Sequence, residues 1–101
     1  MSKSGSIHKE ANMTNDERQA LANKVLVISG AAAKQARMES GMTLRGMSIY
    51  SGFSESALSR FEAGQRNNLY IMTLYFSLMS HAAMKEWQRK VEEALDNGIG
   101  K

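Results

Sequence analysis

Gly41, Gly52 and Gly64 stand 11 and 12 residues apart, and that spacing constrains the fold more than any other feature of the sequence. Glycine takes the left-handed conformation that closes a helix at no steric cost. Thr43 and Ser54 lie directly in front of the two intervening stretches, where a side-chain oxygen accepts an orphan amide of a first turn. Caps, apolar spacing and glycines together predict short helices over 31–40, 44–51 and 55–63. No alternating run long enough for a convincing strand occurs. The chain is therefore expected to be all-α, a compact helical bundle.

The flanks carry their own signals. Thr14-Asn15-Asp16-Glu17 fits a capping box, with the threonine oxygen and the glutamate satisfying each other's backbone amides. Ala20, Leu21, Val25 and Ile28 follow at helical spacing, and Ser29-Gly30 reads as an interruption, which makes 14–30 an additional N-terminal helix. Ahead of it, 1–13 is polar and aperiodic, a flexible arm whose lysines could touch phosphate. Residues 69–80, LYIMTLYFSLMS, read as a densely apolar helix that places Met72, Leu74, Tyr75, Phe76, Leu78 and Met79 in the core. The last segment, 81–101, is an amphipathic helix with Met84, Trp87, Val91 and Leu95 on one stripe, ending at Asn97-Gly98 before a short tail.

Composition narrows the function. The 101 residues give room for one compact domain, and 43% hydrophobic residues suffice for a small core. There is no cysteine, and His8 and His81 lie far apart, so neither a metal site nor a cofactor is expected. No Gly-rich phosphate loop, nucleophile–base pair or pair of catalytic carboxylates can be assembled, and the chain is not expected to be an enzyme. The apolar run from Val25 follows some two dozen residues that include Glu10, Asp16 and Glu17, unlike a signal peptide. With no long apolar stretch either, no membrane role and a cytoplasmic location are expected. The net charge is +3, and residues 31–70, with five basic and three acidic groups, hold most of the excess. That bias is compatible with nucleic acid.

The informative stretch is TLRGMSIYSGFSESALSRFEAG, residues 43–64. Two short helices joined by a tight glycine turn make the helix-turn-helix pattern, whose second helix can enter a major groove. The segment resembles the Cro/phage-repressor type of helix-turn-helix, the XRE-like family, through Thr43, Met47, Ser48, Gly52, Phe53, Ser54, Leu58, Ser59, Phe61, Glu62 and Gly64. The resemblance spans about 31–79. It implies a lambda-repressor-like DNA-binding domain over 31–80, here with extra N-terminal and C-terminal helices. It also implies that Arg37 pairs with the inward-facing Glu62 as a structural ion pair, with Ala33 one turn earlier letting the helices approach.

The chemistry of the second helix agrees with that resemblance. With Leu58 set inward, Ser56 and Arg60 point almost opposite and Ser59 to one side. Arginine grips guanine O6 and N7 with two donors, serine contacts bases or phosphates, and a carboxylate at the helix start accepts from cytosine. Glu55, Ser56, Ser59 and Arg60 are thus the expected base-contacting residues. Thr43, Arg45, Ser54, Arg66 and Asn67 are the expected backbone contacts.

The pattern is also broken in places. Leu44 and Gly46 stand where the family often has glutamine and glutamate, and Gln65-Arg66-Asn67-Asn68 lacks the usual proline. Ile49 and Tyr50 replace residues that are usually polar, and either the additional N-terminal helix covers them or they form a partner patch. The reading is a small sequence-specific regulator of double-stranded DNA, similar to phage and mobile-element repressors. It would occupy a promoter as a homodimer on an inverted repeat, with Met84, Trp87, Val91 and Leu95 as the possible dimer surface. Trp87 could equally close the monomer's own core. The alternative is an antitoxin or protein-interaction module that holds another protein on this scaffold.

Overall fold

The computed structural model describes residues 13–99. Every regular element among them is a helix: α1 (Asn15–Glu39), α2 (Leu44–Ser51), α3 (Glu55–Glu62), α4 (Leu69–Phe76) and α5 (His81–Ile99). Apart from Met13, the arm expected over 1–13 lies outside the described residues, as does the end of the expected tail. Among the described residues no helix is long and apolar enough to cross a membrane.

The N-terminal capping box forms as the sequence predicts. Glu17 N donates to Thr14 Oγ1 at 3.1 Å and Thr14 N to Glu17 Oε1 at 2.8 Å. The interruption expected at Ser29-Gly30 does not occur, and α1 runs unbroken for 25 residues. Gly30 serves a different purpose there. A Cβ on it would lie 2.5 Å from the Phe61 carbonyl oxygen and 2.6 Å from that of Glu62, so only glycine lets the end of α3 sit against α1. Gly64 answers from the other side: its φ is +76°, and a Cβ there would meet the Val27 backbone at 2.8 Å. The expected 14–30 and 31–40 helices are one element because the glycine between them is a contact point and its helical hydrogen bonds are intact.

Thr43 caps α2 through Gly46 N at 2.9 Å, and Ser54 caps α3 through Ala57 N at 3.1 Å. The turn between them is pinned by side chains. Ser48 Oγ donates to the Phe53 carbonyl at 2.6 Å, Ser51 Oγ accepts from Phe53 N at 3.1 Å, and Gly52 takes φ +83°. Asn68 starts α4 by accepting from Ile71 N at 2.9 Å. The helix expected over 69–80 stops at Phe76, because two serines divide it. Ser77 Oγ donates to the Leu74 carbonyl at 2.6 Å, and Ser80 Oγ accepts from Ala83 N at 3.1 Å, offering the backbone an alternative to continued helix. At the other end α5 passes through Asn97-Gly98 to Ile99. A last-turn glycine costs only about 1 kcal/mol, too little to end a helix unaided.

The core lies at one end of the molecule. Ala33, Met47, Leu58, Phe61, Ile71 and Tyr75 are buried together, one or two from each of α1 to α4, and the rings of Phe61 and Tyr75 stack at 5.5 Å. Ile71 and Tyr75, one turn apart, are the inward pair of α4. Met72, Leu74, Phe76 and Leu78 pack half-buried around them. α1 packs most extensively against α5 and also against α3 and α4, while α2 packs on α3. Met84, Trp87, Val91 and Leu95, the stripe read as a possible dimer surface, are each half-buried. Trp87 Nε1 donates to Ser29 Oγ at 2.9 Å, and its ring meets Phe76 edge-on at 4.8 Å. Trp87 is thus used within the chain, since a tryptophan with its N–H satisfied by a buried serine on α1 is already partnered.

Candidate nucleic-acid interface

The residues singled out for DNA occupy the starts of α2 and α3, the outer side of α3 and the loop after it. On α3, Ala57, Leu58 and Phe61 are buried, whereas Glu55, Ser56, Ser59 and Arg60 are exposed. An eight-residue helix that buries one face must offer the other to solvent, and this one offers two hydroxyls, a carboxylate and a guanidinium. Thr43 and Ser54 use their oxygens as acceptors in the caps, which leaves each hydroxyl hydrogen free to donate outward. Arg45 and Asn67 are exposed, and Arg66 is half-buried in the loop.

Charge is distributed unevenly over these elements. Arg45, Arg60 and Arg66 make no ion pair with any described residue, whereas Arg37 and Arg89 each hold a carboxylate. Of the three carboxylates in residues 31–70, Glu62 is turned inward and Glu39 accepts from Gln35 Nε2 at 2.9 Å. Glu55 alone stands on the outer side of α3, at its start, where the helix dipole favours a negative group. The exterior of this region therefore presents unpartnered guanidiniums beside hydroxyl donors, which suits a phosphodiester backbone.

What holds α3 in this attitude is a buried polar triad. Arg37 Nε donates to Glu62 Oε2 at 2.7 Å and Nη2 to Oε1 at 3.1 Å, a two-point clamp, while Nη1 reaches the Met42 carbonyl at 2.9 Å. The two side chains are 11% and 6% exposed. Tyr75 completes the set, its hydroxyl donating to Glu62 Oε2 at 2.5 Å. The hydrogen bond to Glu62 holds the Arg37 guanidinium above its ordinary range. Burial pushes the Tyr75 hydroxyl up as well, helped by the adjacent Glu62 carboxylate. One carboxylate on the last residue of α3 thus ties that helix to α1 and α4. No buried side-chain nitrogen or oxygen among the described residues is left without a partner.

Two features escaped the sequence. Tyr75 read as packing, although a tyrosine at the centre of a core needs an acceptor for its hydroxyl, and the inward Glu62 was the available one. Asn68 read as part of a polar loop rather than as the cap of α4. The open question over Ile49 and Tyr50 is resolved: α1 does not cover them, and they stand 76% and 58% exposed. Leu69 and Tyr70, at the start of α4, are also exposed, and the Tyr70 ring lies 5.7 Å from that of Phe53. Among the described residues no cluster of histidine, aspartate and glutamate is suited to hold a metal ion.

Compared with protein-family models, curated proteins and solved structures, the chain finds no match in any of the three.

Proposed function

We propose that this chain is a sequence-specific double-stranded DNA-binding regulator of transcription, a small repressor of the kind found in phages and mobile elements. It would work by covering a promoter as a dimer on an inverted repeat. The observation that carries the reading is the division of α3, which is locked from behind by the Arg37–Glu62–Tyr75 triad and presents Glu55, Ser56, Ser59 and Arg60 outward. An α-helix with its side chains is about 10–12 Å across, which lets α3 lie in a major groove about 12 Å wide. In that position Arg60 addresses a guanine edge with two donors, and Ser56 and Ser59 reach neighbouring bases or phosphates. Thr43, Arg45, Ser54, Arg66 and Asn67 then set the register on the backbone without reading sequence.

Rigidity is the physical reason the triad matters to this function. Base reading requires donors placed to within fractions of an ångström, and a recognition helix that rocked on its core would lose bidentate geometry. The exposed Ile49, Tyr50, Leu69 and Tyr70 favour a second reading, in which the same scaffold holds a protein partner as an antitoxin would. Amide chemical-shift changes on adding a random-sequence duplex at low salt separate the two. DNA binding predicts perturbation centred on residues 43–45, 54–60 and 66–67. Changes absent there, with the duplex in excess, would refute it.

A further inference from the structure

α1 and α5 run alongside one another, and the layer they form is thin. The described residues extend 46 × 27 × 17 Å, and between Asn15 and Ile28 no side chain is fully buried. Two helices alone cannot cover an apolar stripe on each, because each leaves a flank open. The open flank is visible as two concavities on the α1–α5 seam. One, of about 260 Å³, is lined by Ala20, Leu21 and Ala94; the other, of about 410 Å³, by Ile28, Ala31, Ala32, Ala83 and Trp87. At 100° per residue the lining positions of both fall within one stripe about 120° wide on α1 and one about 100° wide on α5. They are segments of a single trough with small residues along its floor, a shape that admits another helix at close range.

We propose that a second copy of this chain lies in the trough, its own α1 and α5 crossing these to make a four-helix layer. The area fits. With helices about 9–10 Å apart and about 30 Å of shared length, each copy covers about 600 Å², or about 1,200 Å² in all, the lower edge of what stable pairs bury. The rim charges are of both signs, Glu17 and Lys24 at one end and Glu39, Glu86 and Lys90 at the other, and Glu86 is already paired with Arg89 and Lys90, so the net charge that self-pairing sets against itself is small. A two-fold axis lying in the interface, perpendicular to the trough's length, brings the Lys24 end of one copy over the end of the other that holds Glu39 and Glu86. The rim's acidic majority argues against nucleic acid there. By composition, MSKSGSIHKEAN, residues 1–12, offers few apolar side chains with which to fill such a trough. The pairing supplies the dimer that the DNA reading calls for and is measured without DNA, so either can fail alone.

Sedimentation equilibrium on the full chain tests it. Ala20 and Ala31 are exposed in the single chain, so Ala31→Glu, with Ala20→Glu as a second variant, leaves the fold intact by far-ultraviolet circular dichroism. The expected result is a concentration-dependent dimer whose Kd each trough variant raises about tenfold or more, while Ile49→Glu leaves it unchanged. A wild-type chain that stays monomeric to about 1 mM overturns the proposal, and then the chain's own N-terminal segment or a foreign helix is the occupant. A dimer that survives both trough variants, or that yields to Ile49→Glu instead, overturns it as well.

Discussion

Replacing Gly30 by alanine gives opposite answers depending on what that glycine does. In an ordinary helix interior the change stabilises by about 1 kcal/mol, because alanine loses less backbone entropy on folding. Here the new Cβ would stand 2.5, 2.6 and 2.9 Å from three backbone atoms, the Phe61 oxygen and the Glu62 oxygen and carbon. None of these is the end of a flexible side chain, so α3 must retreat from α1 by at least about 0.5 Å to bring the nearest contact to a tolerable distance. Overpacking of this kind costs about 2–3 kcal/mol, in the upper part of its usual range, because a whole helix has to move. The net expectation is a loss of about 1–2 kcal/mol, or a melting temperature lower by about 5–10 °C for a domain this size. Urea titration followed at 222 nm measures it, with Ala22→Gly on the exposed side of α1 calibrating the propensity term at a loss of about 1 kcal/mol. Unchanged or increased stability in Gly30→Ala would refute the close approach of α3 to α1, on which the placement of the proposed recognition face depends.

Glu62→Ala leaves Arg37 and the Tyr75 hydroxyl buried without their acceptor and should cost about 3–5 kcal/mol in the same titration; an unchanged melting temperature would contradict a buried clamp. Arg60→Ala should cost about 1–3 kcal/mol of specific binding at one base position, whereas Arg66→Ala should weaken all duplexes alike and lower the salt slope by about one. Equal losses on specific and random DNA for both would sink that division. The Tyr75 hydroxyl is raised above its ordinary range in the folded state, so its contribution is full below pH about 10 and is lost as pH rises through the folded value. Tyr75→Phe should therefore remove an alkaline loss of stability that the wild type shows above about pH 10, and identical alkaline profiles would count against the triad.

The local signals of this fold were legible because they are short-range. Thr14, Thr43 and Ser54 cap the helices they were expected to cap, and Gly41, Gly52 and Gly64 all take positive φ. The outer side of α3 could be computed from one inward residue, Leu58. What the sequence could not separate were two uses of glycine, since Gly30 as a helix break and Gly30 as a contact point look alike until the partner backbone is in place. Ser77 and Ser80 divided an apolar run for a similar reason: whether a serine continues a helix or ends it depends on what lies beyond. The fate of Trp87 needed the position of Ser29 across the seam, 58 residues away in sequence. The ion pair of Arg37 and Glu62 came from the family resemblance, and the third member of that set, Tyr75, came only with the structure.

The central claim is that α3 reads DNA sequence. Selection of tight binders from a randomised duplex pool at physiological salt, followed by sequencing of the retained DNA, tests it most directly. The account predicts enrichment of an inverted repeat, with half-sites about one helical turn apart, centre to centre, or a multiple of that. Retention of nothing, or of random sequence alone, would contradict it.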